Sequence, residues 1–137
     1  MTAPDQAFLA GLQAEVQRWQ HRLRLQDWHI DIRLCRVNDM PEGAVATIEP
    51  YLERKDAVIS VLTPIDLPLL ERRFPPGEAA DYTLSIVHEL LHLHLLPLSD
   101  YENDTKRIAE EQAINTISRA LTLIHPKGAP SPGPHGD

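Results

Sequence analysis

The stretch SIVHELLHLHLLPL, residues Ser85–Leu98, sets His88, Glu89, His92 and His94 among aliphatic side chains. Ile86, Val87, Leu90, Leu91, Leu93, Leu95 and Leu96 surround those polar groups, so the spacing predicts a helix largely withdrawn from water. Its start is expected between Gly77 and Asp81, where Glu78 and Asp81 suit the positive end of the helix dipole. Its end is expected near Leu96, because Pro97 cannot continue the backbone ladder. Ionisable groups buried without partners are costly, so these four side chains require a reason.

The spacing supplies one. His88 and His92 are four residues apart, on one face and one turn apart, where two imidazole nitrogens can converge on a single metal ion. Neutral histidines hold zinc, zinc acidifies a bound water, and a neighbouring carboxylate, here Glu89, removes the water's proton during attack on a carbonyl. His94 lies roughly 200° around the helix from His92 and cannot reach the same ion, so it is expected to pack or to hydrogen-bond the backbone.

Two histidines do not close a zinc site, and a third ligand is expected on the later helical segment TKRIAEEQAINTISRALTLI, which offers Glu110 and Glu111. With Ile117 taken as the centre of the apolar face, Ala113, Ile114, Leu121 and Ile124 fall within roughly 60° of it and Glu110 within roughly 20°. Glu111 falls roughly 120° away, at the margin. Glu110 is therefore the favoured ligand and Glu111 the second choice, with water in the fourth position.

Upstream, Phe8, Leu12, Val16, Trp19 and Leu23 recur at helical spacing between about Asp5 and Gln26. WHIDIRLCRV then alternates Trp28, Ile30, Ile32 and Leu34 against His29, Asp31, Arg33 and Cys35, the period-two pattern of a strand with one buried face. GAVATIEPYL and DAVISVLTP flank the polar ERK and are expected to pair as a hairpin, with Pro50 at an edge or irregular position. The segment IDLPLLERRFPPGEAA is broken too often by proline and glycine for more than a short helical turn. The expected architecture is α+β: an N-terminal helix, a small three-stranded mixed or antiparallel sheet, the histidine-bearing helix and a C-terminal ligand helix. Residues 1–125 form one domain, and 126–137, rich in proline and glycine, a disordered tail.

Composition narrows the classes. Thirteen basic against twenty acidic residues give a net charge of -7, which opposes non-specific attraction to phosphate, so no direct nucleic-acid binding is expected. Cys35 is the only cysteine, which excludes an internal disulfide and a cysteine-rich zinc module. No apolar run reaches the roughly 18 residues of a spanning helix, and the N-terminus lacks the pattern of an export signal. A cytoplasmic protein without membrane contact is expected.

HELLH followed by AEEQAI resembles the gluzincin type of zincin metallopeptidase, in which HExxH on one helix is completed by a glutamate on a later one. The element order resembles the minimal zincin domains of phage and prophage proteins and of SprT-like and ImmA/IrrE-like proteins, over roughly Leu12 to Ile124. The resemblance implies one zinc ion, a polypeptide substrate, and an edge strand beside the active-site helix that pairs with the substrate, for which DAVISVL is the candidate. It also implies a Tyr or His that stabilises the oxyanion; Tyr51, Tyr82 and Tyr101 are available, none at a motif position. Unlike some SprT-like proteins, the chain carries no cysteine-rich zinc ribbon and no appended module. Two other functions compete with a peptidase: a zinc-stabilised module that binds a protein partner without turnover, and a helical packing protein without metal.

Overall fold

The computed structural model describes residues 1–70 and 81–125. The expected helix start around Gly77, much of the proline-rich connector and the tail from Pro126 lie outside the described residues.

Helix α1 spans Ala3–Arg22. It starts earlier than the apolar spacing suggested because Thr2 and Asp5 form a reciprocal capping box, which supplies partners for two N-terminal amides. It stops at Arg22 because Arg24 takes a positive φ of 59°. There the Arg24 amide donates to the His21 carbonyl and the Leu25 amide to the Gln20 carbonyl, closing the last turn with buried Leu25 beneath it.

Strands β1 (His29–Cys35), β2 (Ala46–Tyr51) and β3 (Asp56–Leu62) form one mixed sheet in the order β1-β3-β2. β1 and β3 are parallel, while β2 and β3 form the expected antiparallel hairpin. Register places Ile30, Ile32 and Leu34 beside Ala57, Ile59 and Val61, and these beside Ala46, Ile48 and Pro50, on one face. That face meets α1 and α2 and holds the core, in which Trp19, Ile59, Ile86 and Leu90 are fully buried. The opposite face carries polar groups such as Arg33, which donates to the Ser60 hydroxyl at 2.9 Å.

DAVISVL is thus the central strand and not the edge strand the resemblance implied. With both long sides occupied by β1 and β2, its backbone has no free side for another chain. The edge strand beside α2 is β2. Leu62 N–H donates to Val45 C=O, so the exchanging pairs continue at Thr47–Ser60, Glu49–Val58 and Tyr51–Asp56. The N–H and C=O groups of Ala46 and Ile48 therefore point to the free edge, with the C=O of Pro50. Pro50 has no N–H to present there, which limits the length of chain this edge can pair.

After β3 a 3₁₀ segment, Pro64–Leu69, supplies the short turn expected in the connector. It is held by Asp66, which accepts from Arg36 at 2.7 and 3.0 Å and from the Val37 amide at 2.9 Å. The Arg36 guanidinium holds the Asp66 carboxyl below its usual range. Helix α2, Tyr82–Leu95, starts at Asp81, whose carboxylate accepts the Leu84 amide at 2.9 Å. The chain passes through a 3₁₀ turn at Leu96–Leu98 and re-enters a helix, α3, at Asp104–Ile124 with Asn103 as cap. Among the described residues, no helix is long and apolar enough to cross a membrane.

Helix α3 packs on α2 through Ile114 and Ser118, both buried, whereas Ile117 is 45 % exposed. The packed face is thus centred roughly 80° from the Ile117 position. Replacing Ile114 with alanine should cost about 2–5 kcal/mol in urea unfolding and replacing Ile117 less than about 0.5 kcal/mol. The opposite ranking would contradict this orientation of α3.

Candidate metal centre

Because Ile86, Val87, Leu90, Leu91 and Leu93 bury much of α2, Ser85, His88, Glu89 and His92 are left on the side facing α3 and the free edge of β2. His88 and His92 stand one turn apart with ring centroids 5.1 Å apart and planes inclined by 64°. Both direct Nε2 at one carboxylate, that of Glu111: His88 Nε2 is 3.1 Å from Oε2 and His92 Nε2 is 2.9 Å from Oε1. One ligand atom from each of His88, His92 and Glu111 lies within 4.8 Å of the other two. Two imidazoles and one carboxylate are the donors a catalytic zinc takes, and the distances allow one ion to replace the direct contacts.

Glu110, the carboxylate favoured from the sequence, is placed differently. Its Oε1 lies 3.3 Å from His92 Nδ1, on the side of the ring away from the cluster. Its Oε2 accepts from the Ser99 hydroxyl at 2.8 Å. The Glu110 side chain is 13 % exposed and the Glu111 side chain 44 %. Glu110 thus fixes the His92 ring, favouring the tautomer that leaves Nε2 free to ligate, while Glu111 faces the accessible side where the histidines converge. The structure groups Glu111, the second choice, with the two histidines and sets Glu110 behind the His92 ring, because the packed face of α3 is not centred on Ile117. About the true centre, near Ile114 and Ser118, both flank the packed face, with Glu111 the nearer.

His88 also has a supporting contact, a side-chain hydrogen bond with Asn115, one turn beyond Glu111 on α3. Burial lowers the His88 pKa against the pull of Glu111, favouring the neutral, ligating form. The Glu89 carboxyl is pushed up to about 8, first by burial and then by the negative charge of Glu111. His94 points away from the cluster, its Nε2 2.6 Å from the Leu23 carbonyl at the end of α1.

Two open cavities meet at Glu89. One, of about 260 Å³, is lined by Val45, Ala46, Ser85, His88, Asn115 and Arg119, among others. The other, of about 350 Å³, is lined by Thr47, Ile48, Pro50, His92, Leu96 and Tyr101. Of the tyrosines, only Tyr101 lines either cavity. Tyr82 is buried and donates to the Leu62 carbonyl at 3.0 Å, its pKa pushed up to about 12, while Tyr51 is exposed with its ring against Arg54. Tyr101 is one of the three tyrosines available from the sequence, whereas Ser99, Asn115 and Arg119 lie outside the sequence motifs. The signal for two of them was the four-residue spacing of Glu111, Asn115 and Arg119, a polar stripe along α3.

No family model, curated protein or solved structure matches the chain.

In chelator-treated protein the fold keeps the Glu89 proton up to about pH 8, whereas the ordinary glutamate value is 4.5. The folded state therefore binds more protons than the unfolded state across that window, and this carboxyl lowers stability as pH rises through it. Glu89→Gln should exceed the unsubstituted chain in urea stability by on the order of 2–4 kcal/mol at pH 8, with the gain shrinking toward pH 5. A difference independent of pH would show that the carboxyl is not held neutral by burial.

Proposed function

We propose that the chain is a zinc-dependent metallopeptidase that hydrolyses an extended polypeptide beside β2, with His88, His92 and Glu111 as metal ligands. The observation that carries this reading is the convergence of both Nε2 atoms and the Glu111 carboxylate within 4.8 Å, next to a half-buried glutamate where two cavities meet. A zinc ion held by His88, His92 and Glu111 would supply Lewis acidity for the attacking water and the scissile carbonyl.

The remaining work falls to the chain's own groups. The outward N–H and C=O groups of Ala46 and Ile48 pair with the substrate backbone, as in strand addition to a sheet edge. Glu89, which borders both cavities beside the two histidines, accepts the proton of the attacking water and returns it to the departing amine. Tyr101, in the cavity with Glu89 and His92, is the tyrosine positioned to donate to the developing oxyanion. Glu110 and Ser99 hold the His92 ring, and Asn115 the His88 ring.

The test is peptide hydrolysis by zinc-loaded protein together with metal affinity. Glu89→Gln should retain zinc and lose turnover by roughly 100-fold or more. Glu111→Gln should weaken zinc binding more than Glu110→Gln, for which a loss of roughly 10-fold is expected. Full turnover by Glu89→Gln would reject its role. A chain that holds zinc and a partner yet cleaves no peptide would instead be a metal-stabilised binding module.

A further inference from the structure

The two cavities that meet at Glu89 differ in chemistry. The one toward the Pro50 end of β2 presents Ile48, Pro50, Leu96 and the Tyr101 ring, with no cationic side chain. The one toward Ala46 is lined by Arg119, together with Ser85 and Asn115. Arg119 forms no ion pair among the described residues, so its fork of donors remains available in a chain whose net charge is -7. Of the acidic groups in this region, Glu89 borders the same cavity, while Glu111 is engaged with both histidine rings.

Polarity along β2 orders the two cavities relative to a bound peptide. β2 runs from Ala46 to Tyr51, and an antiparallel partner, the more stable pairing, runs from the Pro50 end toward the Ala46 end. The peptide's N-terminal part then lies on the apolar cavity and its C-terminal part on the cavity with Arg119. From this we infer that Arg119 is a specificity-determining residue that receives a carboxylate immediately C-terminal to the scissile bond, after an apolar residue. The carboxylate is an acidic side chain or the chain's own terminus. This inference rests on the metallopeptidase reading for the position of the scissile bond, but the carboxylate preference is measurable as binding alone.

The experiment uses zinc-loaded full-length Glu89→Gln protein and fluorescent peptides of the form Ala-Ala-Leu-X-Ala-Ala, with X as Asp, Asn or Lys, in fluorescence anisotropy. The Asp peptide should bind roughly tenfold or more tightly than the Asn and Lys peptides. Adding Arg119→Ala should abolish that preference without changing zinc content, and adding Arg119→Glu should turn it toward Lys. Ala-Ala-Leu-Ala with a free or an amidated terminus separates the terminal carboxylate from the side-chain source. Equal binding by all three peptides together with equal binding of the free and amidated Ala-Ala-Leu-Ala, a preference that survives Arg119→Ala, or the same preference when Leu and X are exchanged overturns the inference. Failure of the peptidase reading appears separately, as an Asp preference that depends on Arg119 in a chain that, with Glu89 intact, cleaves none of the peptides.

Discussion

The meeting of His88 and His92 with the carboxylates of α3 is the constraint on which the rest of the structure depends. Helix α2 closes the core on most of its circumference, and its remaining side carries groups that lose hydration as it packs. The Glu111 carboxylate lies against both Nε2 atoms, Glu110 against Nδ1 of His92, and Asn115 against the His88 ring. One turn and a half of α3 thus supplies the partners that allow α2 to be buried where it is. The same pairing places two imidazoles and a carboxylate together, so one seam between two helices serves both packing and the proposed chemistry.

The sheet sets what can approach that seam. β3 is shielded on both sides, β1 lies at the edge away from the seam, and β2 lines the cavities of the centre along its free edge. Pro50 interrupts the outward row of amides, leaving Ala46 and Ile48 to pair with a guest backbone. A short open edge of this kind gives a peptide a defined place and direction while offering little to unspecific strand association.

Much of this was legible in the sequence, and the departures have physical reasons. The HELLH spacing and its aliphatic setting pointed to His88, Glu89 and His92, because a four-residue helical spacing is local geometry. Alternation gave the faces of β1 and the β2–β3 hairpin for the same reason. Strand order depends on long-range packing, yet a trace of it was present: Val58 and Leu62 make DAVISVL apolar on both faces, as suits a central strand. Glu110 was preferred because Ile117 looked like the middle of the buried face, although in the fold Ile117, Leu123 and Ile124 are exposed and the small polar Ser118 is buried. Hydrophobicity alone does not fix the rotation of a helix that packs through one isoleucine and a serine. Tyr101 and Arg119 reach the cavities through tertiary structure, which no local pattern encodes.

The most direct measurement is the zinc content of extensively dialysed full-length protein, combined with X-ray absorption at the zinc edge. The account predicts close to one equivalent, coordinated by two imidazoles and carboxylate or water oxygen, and lost when His88 and His92 are both replaced by alanine. Zinc far below one equivalent after resupply, or a full complement that survives the double replacement, would contradict it.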